Sequence, residues 1–164
     1  MSEMKEKTLL KLERKFLALP MHHIDTDVLI ESLKETKLGD ICSEYLNKVG
    51  YKYRGVISLS VLGEFLLIII RDNETIEQKE IALRALDRLI EKRKVSFSTP
   101  TIETFNIAKD IFNLDSRIEP ADALHYATSI KDNANTFVTF DGKMERNKTL
   151  ENAFGVKIIH PGNL

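Results

Sequence analysis

Short apolar segments rich in β-branched residues recur along this chain, and longer stretches of helical periodicity separate them. This alternation is the strongest constraint on what the chain can fold into. Residues 22–26, 55–58, 95–97, 136–140 and 156–159 read as strands, bounded by Gly, Pro, Asn, Asp or Ser. Helices of about 10 to 20 residues between strands exclude hairpins and require right-handed crossovers. The expected fold is α/β: about five parallel strands, with six or seven helices on the faces of the sheet.

The first helix spans residues 1–19, with Leu9, Leu12, Phe16 and Leu19 at helical spacing and Leu10 and Leu17 widening the stripe; Pro20 stops it. It precedes the core as an extension (residues 1–20 ahead of a domain at 21–164) and is expected to pack on its own domain. Val28 to Leu33 start a helix, and Asp40 is expected to cap the next one, which Gly50 ends. Ser60 is the expected cap of an apolar helix, Val61 to Arg71, buried on most sides. A turn at Asp72-Asn73-Glu74 leads to an amphipathic helix, Ile76 to Lys94. Thr101 to Leu114 is read as a helix with Ile102, Phe105, Ala108, Ile111 and Phe112 facing inward. Another helix follows Pro120, and residues 143–152 read as helical.

Hydrophobic residues make up 43% of the 164, enough for one compact domain with a full core. The net charge of −1 excludes wholesale wrapping by nucleic acid, but not a local basic patch. The single cysteine, Cys42, excludes an intramolecular disulfide framework and a cysteine-cluster zinc site. The longest apolar run, Phe65 to Ile70, falls far short of the ~20 residues of a membrane span. The basic amino-terminal stretch lacks the apolar region of a signal peptide. A cytoplasmic location without membrane association is expected.

Four acids stand where an apolar element ends or begins. Asp25 ends the first strand, and Asp141 ends the strand around Thr136–Phe140. Glu64 and Asp122 are read in the first turns of their helices. In a parallel sheet, strand carboxyl ends and the amino ends of the following helices share one edge. All four acids are therefore expected in one crevice. Carboxylates gathered this closely repel one another, and a hard divalent cation with oxygen ligands resolves the conflict. Such an ion activates water and neutralises the developing charge of a phosphate.

The segments IDTDVLI (24–30), SLSVLGEFL (58–66), EPADALHYATSI (119–130) and FVTFDGKM (137–144) follow one another as in PIN-domain ribonucleases, the family that includes VapC-like toxins, which this chain resembles. The resemblance covers residues 22 to 160. It implies a five-stranded parallel sheet in a three-layer α/β/α sandwich, and metal-dependent endonucleolytic cleavage of RNA by an activated water. It makes Asp25, Glu64, Asp122 and Asp141 the catalytic, Mg²⁺- or Mn²⁺-binding quartet, supported by the hydroxyls of Thr26 and Thr139. Asp27 stands where the family often has Asn and is expected to cap the following helix or support the site. His125, one turn beyond Asp122, is expected to pack behind the site with a hydrogen bond. Lys143 and Arg146 are candidate phosphate contacts. The adjacent His22 and His23 make a poor metal pair, because successive strand side chains point to opposite faces. Homodimers, and a small antitoxin entering the acidic crevice, are further implications of the resemblance.

Two other functions compete. A PIN fold could serve as a silent scaffold, with the extra helix 1–19 in favour and the intact quartet against. Asp25-Thr26-Asp27 also resembles the first motif of haloacid-dehalogenase-type phosphatases. That family needs a later lysine and a paired acidic motif, which Asp141-Gly142-Lys143 imitates poorly, and Glu64 and Asp122 would go unexplained.

Overall fold

The computed structural model describes residues 3–72 and 74–164. Met1, Ser2 and Asn73, read as part of the first helix and of a turn, lie outside the described residues. Helix α1 (Glu3–Leu17) leads to strand β1 (Met21–Ile24). Helices α2 (Thr26–Glu31) and α3 (Lys37–Lys48) follow, then β2 (Arg54–Ser58), α4 (Leu59–Arg71) and α5 (Ile76–Arg93). Beyond these come β3 (Ser96–Ser98), α6 (Ile102–Leu114), α7 (Pro120–Lys131), β4 (Thr136–Val138), α8 (Lys148–Phe154), β5 (Lys157–Ile159) and a 3-10 turn, Pro161–Asn163.

The five strands form one parallel sheet in the order β3-β2-β1-β4-β5. The chain starts in the middle, builds outward through β2 and β3, then returns to add β4 and β5 on the other side of β1. The order therefore reverses between β1 and β4, and their carboxyl ends open a crevice there. One face of the sheet is covered by a core that includes Val28, Tyr45, Phe65 and Leu86, from α2 to α5. The other carries Ile111, Tyr126, Phe137 and Leu150, packed under α6, α7 and α8. This is the three-layer α/β/α sandwich.

Several caps differ from the sequence reading. Thr36 caps α3, accepting a hydrogen bond from Gly39 N, so Asp40 lies inside the first turn. Ser58 caps α4 through Val61 N, two residues before Ser60, and this puts Glu64 in the second turn of α4. Residues 143–146 form turns, and α8 starts only at Lys148, capped by Asn147. Gly50, after α3, has φ +91, and a Cβ there would stand 2.6 Å from the Arg93 carbonyl oxygen, so only glycine fits.

Three apolar faces expected inside are outside. On α1, Leu9, Leu10, Leu12 and Leu17 are exposed. Phe16 is only half-buried, with the Lys94 ammonium 5.4 Å from its ring centre. Among the described side chains, Phe16 in the last turn of this helix packs against the domain, at Lys94. On α4, Val61, Phe65 and Ile69 are buried while Leu67 and Ile70 face solvent. On α6, Ile111 is buried but Ile102, Phe105 and Phe112 are exposed.

The two histidines of β1 point to opposite faces, as alternation requires. His22 stacks on Tyr53 with ring centres 4.1 Å apart and shares a 3.2 Å hydrogen bond with the Tyr45 hydroxyl. His23 meets Asp132 at 2.9 Å on the α7 side. Burial lowers the pKa of His22 from 6.5 to about 4, so the folded state holds it neutral. The unfolded chain takes up this proton first, and stability is lost as pH falls from 6.5 towards 4. Urea unfolding at pH 7 and pH 4.5 should show His22→Phe losing less than the wild type over that window, by up to about 3 kcal/mol. Parallel losses in the two proteins would contradict this account.

Candidate active site at the β1–β4 crevice

Asp25 follows β1 directly, and its backbone N–H continues the sheet pairing to Val138 O at 3.0 Å. It is also the N-cap of α2, its Oδ1 accepting from Thr26 N at 2.8 Å. Sheet and helix thus hold one buried carboxylate at the switch point. Asp27 does not cap the helix, contrary to expectation. Its Oδ2 accepts from Thr139 Oγ1 at 2.9 Å and Phe140 N at 3.0 Å, which ties α2 to the end of β4. Burial, then the charge of Asp25, raises the Asp27 pKa to about 7. Thr139 accepts in turn from Asp141 N at 3.1 Å and so joins the two acids' segments.

The Thr26 hydroxyl donates to Glu64 Oε2 at 2.5 Å and brings α4 to α2. Asp122 arrives in the first turn of α7, where Pro120 opens the helix without losing a needed N–H. Burial, then the charges of Asp25 and Asp141, raises its pKa to about 6. Asp141 closes a turn of its own, its Oδ1 accepting from Lys143 N at 2.8 Å and Met144 N at 3.1 Å.

His125 packs behind these groups with a hydrogen bond, as expected, and its partner is Asp25. It is buried, with Nδ1 3.1 Å from Asp25 Oδ1 and Nε2 3.7 Å from Glu64 Oε2. Burial disfavours its charged form, but the bond to Asp25 and the charges of Asp25, Glu64 and Asp122 prevail and raise its pKa. Asp25, Asp122 and His125 each offer a ligand atom within 4.8 Å of the other two. Glu64 and Asp141 border this trio. Lys143 spends its ammonium on Glu119, 3.0 Å away, and Arg146 is exposed at φ 67 beside Glu145.

The candidate donors are carboxylate oxygens, with the His125 imidazole hydrogen-bonded to one of them. Hard to borderline divalent cations such as Mg²⁺ and Mn²⁺ suit that set.

A family model for the PIN domain matches residues 23–150. The chain belongs to the PIN domain family. A comparison with curated protein sequences gives no match. Among solved structures, the chain is similar to FitAcB from Neisseria gonorrhoeae at TM-score 0.64 and 18% identity, over 88% of this chain and 100% of that one. It is similar to VapBC2 from Rickettsia felis, bound to a DNA fragment from its promoter, at TM-score 0.62 and 17% identity, over 85% and 98% of the two chains. VapC20 from Mycobacterium tuberculosis, a toxin that cleaves the sarcin-ricin loop, is similar at TM-score 0.56 and 16% identity, over 74% and 90%. At these identities the likeness is one of fold. No helix among the described residues is long and apolar enough to cross a membrane.

Crowding at Asp122 is directly measurable. Its pKa is raised from 3.8 to about 6, so the unfolded chain loses this proton first; the metal-free fold is destabilised progressively as pH rises from about 3.8 to about 6, in full above that, and not at all below the ordinary carboxylate range. At pH 8, Asp122→Asn should raise the melting temperature by roughly 2–4 °C, the equivalent of ~1 kcal/mol in a chain of this size. The gain should shrink at pH 5. The same substitution should abolish the stabilisation that millimolar Mn²⁺ confers on the wild type. A variant no more stable at pH 8 than at pH 5 relative to wild type would show that the carboxylates do not repel.

Proposed function

We propose that this PIN-domain protein is a Mg²⁺- or Mn²⁺-dependent endoribonuclease. The observation that carries the reading is the meeting of Asp25 and Asp122, bordered by Glu64 and Asp141, at the switch point of a parallel sheet. When bound, the cation would supply an activated water and offset the charge that develops on the phosphate. The four acids would hold it. Thr26 fixes Glu64 against Asp25, and Thr139 fixes the turn that carries Asp141. Lys143 and Arg146 lie just past Asp141 and would meet the phosphates that flank the scissile one.

The likeness in fold to the R. felis VapBC2 and M. tuberculosis toxin structures supports placing the protein in a toxin–antitoxin pair; restraint by a small partner and action in the cytoplasm belong to the same proposal. Residues 1–20 would then be an appended helical arm and 21–164 the nuclease domain. Homodimerisation is part of the proposal. An apolar groove of about 520 Å³ lies between α6 and α7, lined by Phe105, Ala108, Phe112 and Leu124, and a second copy would cover it.

Cleavage of a mixed RNA substrate in Mn²⁺ should be abolished by chelation. Asp25→Asn should lower it ~100-fold or more, since even outer partners of a metal site are worth ~10–100-fold. Activity untouched by Asp25→Asn would sink the nuclease reading. Separately, Phe105→Asp should convert a dimer to a monomer in light scattering with the circular dichroism spectrum unchanged. A wild-type protein that is already monomeric would remove the dimer.

A further inference from the structure

One pattern runs through the acids. Asp25 Oδ1 is taken by Thr26 N and His125 Nδ1, Glu64 Oε2 by the Thr26 hydroxyl, and Asp141 Oδ1 by two backbone N–H groups. In these three carboxylates one oxygen is engaged by a fixed donor and, among the described residues, the other has no such bond; Asp122 has none on either oxygen. Most of these donors are local: Thr26 serves its neighbour Asp25, and Lys143 and Met144 serve Asp141. Thr26 and His125 alone reach across elements, and His125 comes from the far side of the crevice, 100 residues from Asp25.

We infer that His125 is a positioning residue for the metal site: its Nδ1–H holds the Asp25 carboxylate in the one orientation that leaves Oδ2 for the cation. An ionised carboxylate offers only lone pairs, so the imidazole is the donor in this bond. Without it, Asp25 Oδ1 keeps only the N–H of its neighbour Thr26, and the side chain can turn about χ1 and χ2. An ion would then have to order the ligand it binds. His125 lies one helical turn after Asp122, so α7 delivers one ligand and the orienting donor of another on a single rigid face. The inference rests on the proposed metal site. It assigns His125 no contact with substrate.

The experiment measures Mn²⁺ binding by calorimetry, and separately the Mn²⁺ dependence of RNA cleavage, for wild type, His125→Asn, His125→Gln and His125→Leu. An Asn amide nitrogen falls near the position of Nδ1 and restores the donor to Asp25. A Gln amide nitrogen falls near Nε2 and does not. His125→Gln and His125→Leu should bind Mn²⁺ ~10–100-fold more weakly, the usual effect of losing an outer-sphere partner. His125→Asn should stay within a few-fold of wild type. At saturating Mn²⁺, kcat should be nearly equal in all four. The Asn and Gln variants are both polar and of similar size, so their comparison stands even if His125→Leu fails to fold.

Equal Mn²⁺ affinity in the Asn and Gln variants, or tighter binding by Gln than by Asn, would overturn the inference. So would a kcat that collapses in every variant at saturating Mn²⁺, because His125 would then act in the chemical step. If the protein cuts no RNA at all, the nuclease reading fails, and the calorimetric order of the variants still decides the role of His125.

Discussion

The structure depends on keeping several carboxylates together where fixed dipoles and one imidazole, His125, offset them. Asp25 and Asp122 are nearly 100 residues apart in the chain, and burial, then the charge of Asp25, pushes Asp122 up to about 6 and Asp27 to about 7. Such repulsion would open a surface loop. Here it is contained because each acid is anchored through its own backbone. Asp25 is paired to Val138 O in the sheet, Asp122 is locked into a helical turn, and Asp141 is wrapped by its own turn. The strain is borne by three secondary elements that already have other reasons to be where they are.

Those reasons lie in the order of the sheet. Because β1 is central, β2 and β4 flank it and the crossovers leave in opposite directions. The gap above β1 and β4 is the one place where no crossover can sit, so polar groups can gather there without burying an unsatisfied backbone. The same arrangement puts Thr26, at the start of α2, within reach of α4, and Thr139, at the end of β4, within reach of Asp27. Two hydroxyls of modest size thus stitch together three segments that the chain visits at long intervals.

Much of this was legible in the residues. Strand number, parallel order and the shared edge of the four acids follow from apolar segments too short for helices and connections too long for hairpins. What failed was resolution within a turn. Ser58 and Ser60 are equally good caps by type, and only the pairing of β2 decides for Ser58, which moves Glu64 from the first turn to the second. Asp25 and Asp27 are likewise two acids at one helix start, and the choice between them depends on which faces Thr139, 112 residues away. His125 is buried with a hydrogen bond, as expected; that the partner is Asp25 is a property of the closed sheet, which spacing along the helix does not show. The inward face assigned to α6 failed differently. Periodicity identifies an apolar stripe and not what covers it, and Ile102, Phe105 and Phe112 form a stripe that this single chain leaves uncovered.

Helix α7 shows how closely packing and chemistry are linked. It is buried on most sides, which is why its amphipathicity is weak, and its inward polar groups are satisfied within the fold: Tyr126 OH on Val156 O at 2.7 Å, Ser129 on Tyr126 O at 2.6 Å, Thr128 on Leu124 O at 2.8 Å. Of these only the Tyr126–Val156 bond leaves the helix, and it opposes sliding, since any shift would leave both groups unpaired in the core. One side of it carries Asp122 and His125 to the crevice, and another lines the apolar groove with Ala121 and Leu124. The position of two site residues is therefore set by packing on the opposite side of the same helix. A cavity made beneath α7, at Tyr126 or Phe137, would disturb the geometry of the acids even though neither ring touches them.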